Sequence, residues 1–199
     1  MENMENSARV PLEGALGAVR EALRRALHDV QPPMLDLTAH LAGTEGKNFR
    51  ALLLLAAASG EDGTIPQDAI TAAAAIELLH LATLVHDDVI DDADERRGKP
   101  SVKSRFGNKA AVVCGDYLFC KCFMMVSELA KRYQDQYELI ARAVTKICLG
   151  EMRQLRHNGD AALTVRRYLK IIAGKTSALF ALSMYSGALL SGDEPLRVR

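Results

Sequence analysis

The chain has 199 residues, 49% of them hydrophobic, and its 25 basic residues are balanced by 25 acidic ones, so the net charge is zero. This length favours one domain with a sizeable core. Zero net charge provides no overall attraction to nucleic acid or to an anionic membrane, and we expect neither as a partner. Tryptophan is absent and alanine and leucine are abundant, a composition that favours helix over sheet.

Apolar residues at helical spacing predict a series of helices along the whole chain. The predicted helices cover residues 12–30, 34–41, 46–59, 68–92, 109–132, 137–157 and 164–190, the last as one or two helices. Glycine and proline mark the turns between them, and no useful period-two alternation predicts a strand. We therefore predict an all-α bundle, residues 1–199 forming one domain, with its ligand site between facing helices.

The four cysteines and the apolar stretches bear on location. Cys114, Cys120, Cys122 and Cys148 form no CxxC pair, and the first ten residues lack the apolar segment of a secretory signal. We therefore expect reduced thiols in a cytoplasmic protein. The longest uncharged stretch, residues 176–192, is shorter than the roughly 20 apolar residues of a membrane span, so we expect a buried helix and no span.

An acidic cluster ends the long helix predicted over residues 68–92. Asp87, Asp88 and Asp91 are spaced so that a helix places their carboxylates on one side within one turn. Carboxylates suit Mg²⁺, which often bridges a protein carboxylate and a substrate phosphate. A solvated helix end is the simpler interpretation, but aspartates at a helix C-terminus oppose the helix dipole. The cluster therefore predicts a magnesium site.

Basic residues follow this cluster and occur at two other places. Arg96 and Arg97 come directly after it, Lys47 and Arg50 share one side of a helix start, and Lys175 stands alone in an apolar stretch. One arginine can donate two hydrogen bonds at once to the oxygens of a diphosphate, and the N-terminus of a helix favours anions. A buried lysine needs an anionic or polar partner. Ordinary surface ion pairs with the neighbouring acids remain the alternative.

Six segments, in order, resemble the trans-isoprenyl diphosphate synthases. The resemblance extends over residues 12–192 and corresponds to the amino-terminal two-thirds of that family. The matching segments are Gly46-Lys47-Asn48-Phe49-Arg50, residues 77–91 with the three aspartates, Arg96-Arg97-Gly98, Gly115-Asp116-Tyr117-Leu118, Gly150-Glu151-Met152-Arg153-Gln154 and Lys175-Thr176. The resemblance implies an isoprenoid-synthase-type helical bundle that joins isopentenyl diphosphate head-to-tail to an allylic diphosphate.

The resemblance also implies a role for each site residue. Asp87, Asp88 and Asp91 would bind the Mg²⁺ that holds the allylic diphosphate, with Arg96 and Lys175 as further contacts. Lys175, Thr176 and Gln154 would surround the reacting centre. Isopentenyl diphosphate would be held by Lys47, Arg50, His80 and Arg97.

The sequence departs from the family pattern at two places. Asn48 stands where many members carry arginine. The family's second aspartate-rich motif is missing, because the only acids after Lys175 are Asp193 and Glu194. We therefore expect an incomplete synthase domain, whose apolar residues 176–190 would need a partner, in a homodimer or beside a subunit that supplies the rest.

Two positions before the aspartates bear on product length. In this family bulky residues on the aspartate helix stop chain growth, and Ala82 and Thr83 are not aromatic. We therefore expect geranylgeranyl or longer products. The alternative for Ala82 is simple packing against a neighbouring helix.

Three other functions stay open at this point. The chain could be a noncatalytic subunit of a synthase, although such a role does not need metal ligands. It could be a terpene cyclase, which would not need the isopentenyl diphosphate residues. It could also be a nonenzymatic helical interaction protein, which Mg²⁺-dependent binding of a diphosphate would exclude.

Overall fold

The fold, given by a computed structural model that describes residues 8–42, 46–133 and 135–191, consists mainly of helices. The helices are α1 (Ala15–His28), α2 (Pro32–Ala42), α3 (Phe49–Ala58), α4 (Gln67–Ile90), α5 (Val102–Phe106), α6 (Asn108–Ala130), α7 (Asp135–Arg156), α8 (Val165–Ile172) and α9 (Ala178–Ser191). A π-helical turn, Ala173–Ser177, joins α8 to α9. The all-α prediction is confirmed.

Helix α4 is the centre of the bundle. It packs against α1, α3, α6 and α9, and Ala72 to Ala75 are all buried, as are Leu78 and Leu79. A helix that is apolar on every side must be covered on every side, and small alanine side chains let its neighbours approach closely. The aspartates lie at the C-terminal end of this central helix, beside the π-helical turn.

Two short antiparallel ribbons correct the expectation that the chain has no sheet. Strand β1 (Arg9–Pro11) pairs with β2 (Thr64–Pro66), and β3 (Glu95–Arg96) pairs with β4 (Lys99–Pro100). Arg97 and Gly98 between β3 and β4 have φ angles of 55° and 75°, as the two central residues of a type I′ hairpin turn require. Strands this short carry too little alternation to be recognised in a sequence.

The hairpin formed by β3 and β4 is tied to the rest of the bundle. The Ser101 hydroxyl donates to the Ala93 carbonyl at 2.8 Å, and a ring nitrogen of His40 lies 2.8 Å from the Pro100 carbonyl oxygen. The buried Lys103 side chain contacts Asp92 and lies 3.3 Å from an oxygen of Asp94. These contacts fix the hairpin that carries both predicted arginines.

The boundaries of several helices differ from the predicted ones. Helix α2 begins at Pro32, because proline fits the first turn of a helix, where its missing N–H is not needed. The short α5 was not predicted. The last predicted helix is divided by the π-helical turn at Ala173–Ser177.

Helix α9 is covered on one side within this chain, and the expectation that residues 176–190 need a partner stays a prediction. Its inner side packs against α3, and a side chain on Gly187 would collide with the Leu54 carbonyl oxygen. Leu179, Leu182 and Leu190 are buried as a result. Only the outer side of α9, with Met184 and Tyr185, is exposed.

Two helices in the described part of the chain are long and apolar enough to cross a membrane by length and composition alone. They are α4 and α6, with 67% and 33% of their most apolar windows buried inside the bundle. Burial of α4 matches the core helix of a bundle. The expectation of no membrane span was based on residues 176–192 and did not take α4 and α6 into account. It stays a prediction.

Candidate functional site

The C-terminal end of α4 carries two of the predicted metal ligands beside a lysine. The Lys175 Nζ lies 3.7 Å from an oxygen of Asp87 and 4.0 Å from an oxygen of Asp91. A third carboxylate, Glu151 on α7, lies 2.7 Å from the same Nζ. The structure thus brings α4, α7 and the π-helical turn together around one ammonium group.

Asp88 has a different partner from the one predicted. Its side chain is only 5% exposed, and its Oδ1 accepts hydrogen bonds from Arg96 Nε, at 2.9 Å, and from Arg96 Nη2. A buried carboxylate paired with an arginine is stabilised by that arginine. Its role as a metal ligand stays a prediction, and Arg96, predicted to bind diphosphate, is held by Asp88.

Close backbone packing places Lys175. Gly150 on α7 lies against the π-helical turn so closely that a Cβ at position 150 would lie 2.5 Å from the Lys175 backbone nitrogen and 2.8 Å from the Gly174 carbonyl carbon. Gly174 is equally confined, since its Cβ would lie 2.9 Å from the Gly150 Cα. Lysine 175 and Glu151 are therefore brought together by two facing glycines.

The charges of this group act on one another. Burial raises the pKa of Asp87 above its usual value, with Lys175 opposing that shift and Glu151 and Asp91 adding to it. Burial alone would lower the pKa of Lys175, but the contacts with Glu151, Asp87 and Asp91 outweigh it and hold the pKa above its usual value. The ammonium is therefore charged and partly neutralises three acids.

A second cluster contains all four residues predicted to bind isopentenyl diphosphate. Lys47, Arg50, His80 and Arg97 line one cleft of about 410 Å³. The Arg50 guanidinium lies 4.9 Å from the centre of the Phe180 ring, and its buried Nε has no hydrogen-bond partner among residues 8–42, 46–133 and 135–191. The cleft therefore presents cationic donors suited to an anion.

Glu77 supports the floor of this cleft. Its buried carboxylate accepts a hydrogen bond of 3.0 Å from the Ala51 N–H, in the first turn of α3. A carboxylate is favourable at a helix N-terminus, and it also partly offsets the effect of burial on the pKa of Arg50, which lies below its usual value. Glu77 thereby holds α3, and with it Arg50, against α4.

His80 is neutral in this cluster. Burial, followed by the charges of Arg50, Arg97 and Arg96, lowers the pKa of His80 to about 3. A neutral imidazole can donate one hydrogen bond to an anion without adding to the repulsion among the arginines.

We expect this depressed pKa to make the protein less stable in acid. In the unfolded chain His80 takes up a proton near pH 6.5, whereas folded His80 does so only near pH 3. The contribution of the neutral imidazole to the free energy of unfolding is therefore fully present above pH 6.5 and is lost as the pH falls below that value. Between pH 7 and pH 5 the loss is about 2 kcal/mol. Urea denaturation at both pH values should show a smaller difference in His80→Gln than in the exposed control His28→Gln; equal differences would contradict this assignment.

The remaining predicted residues lie near the first cluster or apart from it. Thr176 is exposed, directly after Lys175, and Gln154 is half-buried on α7, three residues after Glu151. Thr83 is half-buried one turn before Asp87, and its hydroxyl donates to the His80 carbonyl at 2.7 Å. Ala82 is fully buried in the core, which fits the alternative that it packs against a neighbouring helix.

Two acids of the site, Glu77 and Glu151, were not predicted from the sequence. Glu151 lies within the segment Gly150-Glu151-Met152-Arg153-Gln154, in which only Gln154 was predicted to have a role. The available signal was an acid beside Gly150 on the same helix side as Gln154. Its importance becomes visible only once α7 is placed against Lys175.

Comparison of this sequence with known proteins agrees with the family resemblance. A family model described as polyprenyl synthetase matches residues 31–198. The heptaprenyl diphosphate synthase component 2 of Geobacillus stearothermophilus is 37% identical over 93% of this chain and 57% of its own length. The octaprenyl diphosphate synthase of Escherichia coli is 33% identical over 97% of this chain and 58% of its own length.

Solved structures agree in fold. The crystal structure of heptaprenyl diphosphate synthase from Staphylococcus aureus has a TM-score of 0.83 at 28% identity, covering 92% of this chain and 57% of that one. Polyprenyl synthase from Caulobacter crescentus, crystallised with calcium and isoprenyl diphosphate, has a TM-score of 0.82 at 33% identity, covering 92% and 55%.

The chain spans somewhat more than half the length of the relatives it matches, a little less than the predicted two-thirds. The match of the family model over most of the chain agrees with the helical fold and with the aspartates and basic residues found at its two clusters. This chain belongs to the polyprenyl synthetase family, the trans-isoprenyl diphosphate synthases.

Proposed function

We propose that this chain provides the two diphosphate-binding clusters of a trans-prenyltransferase, which condenses isopentenyl diphosphate with an allylic diphosphate. One observation carries the proposal. Helix α4 bears both Asp87 and Asp91 near Lys175, and His80 in the cleft lined by Lys47, Arg50 and Arg97. Arg96, paired with Asp88, is close enough to both clusters for its charge to lower the pKa of His80 and to oppose the raised pKa of Asp87. Two anionic substrates can thus bind two turns apart along one helix.

The first cluster fits a divalent cation. Asp87 and Asp91 are carboxylates one turn apart, both within 4.0 Å of a single ammonium, and hard oxygen donors of this kind suit Mg²⁺. Asp87 and Asp91 would hold the ion, while Asp88 holds Arg96 in place. When bound, Mg²⁺ neutralises charge on the departing diphosphate.

The side chains of this protein would bind and orient the two substrates. Lys175 would contact the allylic diphosphate as its carbon–oxygen bond breaks, and the preorganised ammonium would stabilise the developing charge. Thr176 and Gln154 would lie beside the reacting carbons. The second cluster would hold isopentenyl diphosphate and direct its double bond at the allylic cation. The departing diphosphate is a sufficient base for the final proton.

We further propose a product of geranylgeranyl length or longer. Thr83, one turn before Asp87 on the same side of α4, carries no aromatic ring that would stop a growing chain. Ala82 contributes less to this argument, because it is fully buried. The heptaprenyl and octaprenyl names of two relatives agree with a long product.

A second candidate is a subunit that works with a partner. Two relatives, from Geobacillus stearothermophilus and Bacillus subtilis, are named component 2 of heptaprenyl diphosphate synthase. The chain lacks a second aspartate-rich motif; its last acids, Asp193 and Glu194, lie outside the described residues. A partner, or a second copy of the chain, could cover the exposed Val113, Phe123 and Met124 of α6.

We also place the protein in the cytoplasm. All four cysteines are free thiols, two of them buried and two exposed. Persistent free thiols suit a reducing compartment. Fractionation of the cells that make this protein would test the assignment.

Two observations favour these candidates over the others. A terpene cyclase needs no second diphosphate cluster, yet Lys47, Arg50, His80 and Arg97 line one cleft. A helical interaction protein would need neither that cleft nor a lysine facing three acids. Mg²⁺-dependent binding of a diphosphate would exclude the last possibility.

The first experiment combines turnover with binding. The purified chain is given Mg²⁺, isopentenyl diphosphate and farnesyl diphosphate, and products are separated by length; Asp87→Ala is the control. Under the proposal, product of 20 carbons or more forms and the control makes none. Farnesyl diphosphate binding is measured in parallel by equilibrium dialysis with and without Mg²⁺.

The two candidates give different results. Mg²⁺-dependent binding without turnover would support the partner-dependent subunit, and sedimentation of the same sample would show whether it is a dimer. A folded chain that binds farnesyl diphosphate equally well with and without Mg²⁺, and equally in Asp87→Ala, would contradict both.

A further inference from the structure

The acids around Lys175 are arranged about an ammonium group. Asp87, Asp91 and Glu151 each have an oxygen within 4.0 Å of Lys175 Nζ. Within the described ranges no three acidic, histidine or cysteine side chains lie close enough together to hold a metal ion between them. In this arrangement Lys175 is therefore the cation that the three carboxylates share.

Glu151 depends on this lysine more than the aspartates do. It is 8% exposed, and neither of its side-chain oxygens has a hydrogen bond of acceptable geometry to any described residue. The Lys175 ammonium, 2.7 Å from Oε2, balances the negative charge of this carboxylate. A buried carboxylate without a hydrogen bond or cation is costly, so Lys175 and Glu151 form the closest pair of the group.

The backbone fixes this pair. Gly150 and Gly174 pack with no room for a Cβ on either, so the positions of Glu151 and Lys175 along their helices are set by main-chain contact. The lysine side chain is 22% exposed. It can therefore swing at its far end while its Cα stays where the glycines hold it.

A metal ion at Asp87 and Asp91 would meet the ammonium directly. Mg²⁺ binds carboxylate oxygens at about 2.0–2.1 Å, and the ammonium already lies 3.7 and 4.0 Å from oxygens of those two residues. Two cations that share the same carboxylates repel each other. One of them must withdraw, and Glu151 is the carboxylate that the lysine can keep.

We propose that Lys175 is a displaceable counter-cation of the metal site and that Glu151 is a positioning residue that receives it when Mg²⁺ binds. Lys175 and Mg²⁺ compete for Asp87 and Asp91. Glu151 weakens that competition by retaining the ammonium beside the site, where a diphosphate can then reach it. This inference extends the proposed function, on which it rests for the identity of the metal.

The test measures Mg²⁺ affinity by calorimetry, without any substrate, in four proteins. They are the original chain, Lys175→Met, Glu151→Gln and the double variant. Coupling between two binding events in a protein typically changes affinity about 5- to 150-fold, and we take that range as a guide to the effect of the lysine on the metal. We expect Lys175→Met to bind Mg²⁺ about tenfold more tightly and Glu151→Gln about tenfold more weakly.

The double variant decides how Glu151 acts. If Glu151 works through the lysine, Glu151→Gln has no effect once Lys175 is methionine, and the double variant equals Lys175→Met. If Glu151 acts on the metal directly, as a ligand or through its charge, the two effects add and the positioning role is overturned. The double variant also removes both buried charges, so it should fold even where Lys175→Met leaves Glu151 uncompensated.

The remaining outcomes separate this inference from the proposed function. Mg²⁺ binding that Asp87→Ala abolishes but Lys175→Met leaves unchanged would overturn the competition and leave the proposed function standing. Absence of Mg²⁺ binding in every variant, with folding verified by circular dichroism, would overturn this inference, whereas the proposed function is decided by the Mg²⁺ dependence of farnesyl diphosphate binding.

Discussion

Replacement of Gly150 with alanine is expected to destabilise the protein by about 3 kcal/mol and to weaken Mg²⁺ and diphosphate binding together. The added Cβ would lie 2.5 Å from the Lys175 nitrogen and 2.8 Å from the Gly174 carbonyl carbon. Both atoms belong to the main chain, so no side chain can rotate out of the way. Helix α7 and the π-helical turn must separate, and Lys175 then moves away from Glu151 and the aspartates.

A glycine in another helix serves as the matched control. Gly17 in α1 has no atom within 4 Å of its added Cβ. Alanine is the better helix former, so Gly17→Ala should be up to about 1 kcal/mol more stable than the original protein. Urea denaturation of both variants, with calorimetric Mg²⁺ titration, measures the contrast. A Gly150→Ala protein as stable as Gly17→Ala, with unchanged Mg²⁺ affinity, would mean that the glycine contact does not place the lysine.

Helices and their order were predictable because they follow from local pattern. The apolar spacing in residues 68–92 fixes a long helix, and its alanines indicate burial on all sides. Asp87 and Asp91, four residues apart, share one side of that helix by spacing alone. Each of these conclusions needs only one stretch of the sequence, which is why they agree with the structure.

The site could be predicted only in part because its geometry depends on contacts between distant segments. The convergence of Lys47, Arg50, His80 and Arg97 on one cleft was anticipated through the family resemblance, and the structure brings them together. The partner of Asp88 was not anticipated, because the chain reverses directly after α4, where Asp92 has a φ of 52° and the Ala93 N–H donates to the Asp88 carbonyl, before it enters the hairpin with Arg97 and Gly98 at its turn. A two-residue hairpin with arginine at a positive φ has a weak sequence signal.

Glu151 illustrates the limit most clearly. An acid on a helix is ordinarily solvated, and nothing local distinguishes this one from its exposed neighbours. Its burial and its pairing with Lys175 arise from the contact of Gly150 with Gly174, 24 residues apart in the chain. The family resemblance implied a role for Gln154 and none for Glu151.

Disruption of the pair formed by Asp88 and Arg96 is also expected to lower the stability of the protein strongly, and the two single variants should differ in how much stability they lose. Arg96→Met leaves the Asp88 carboxylate, 5% exposed, without its cation. Loss of one partner of a buried pair costs about 3–5 kcal/mol. Asp88→Asn leaves an arginine that is 35% exposed and can turn to water, so its cost should be nearer 1–2 kcal/mol.

The same variants decide between the predicted and the observed role of Asp88. If Asp88 serves mainly to hold Arg96, Arg96→Met lowers the free energy of unfolding even without Mg²⁺, and the double variant loses less than the two single variants together. Asp88→Asn then still binds Mg²⁺ through Asp87 and Asp91. If Asp88 is a metal ligand, Arg96→Met changes stability little and Asp88→Asn loses Mg²⁺ binding. Asp92→Asn is the control.

Asp92 also pairs with a cation, Lys103, but its side chain is 89% exposed. The Lys103 side chain is buried, but after Asp92→Asn it keeps a second acid, Asp94, at 3.3 Å, so this variant should leave both stability and Mg²⁺ affinity nearly unchanged. The contrast matters because Asp88 and Asp92 belong to one run of acids and cannot be ranked by sequence. Burial separates them: Asp88 is covered by the hairpin that its own arginine belongs to, and the position of that hairpin determines whether Arg96 faces Asp88 and whether Arg97 lines the second cluster.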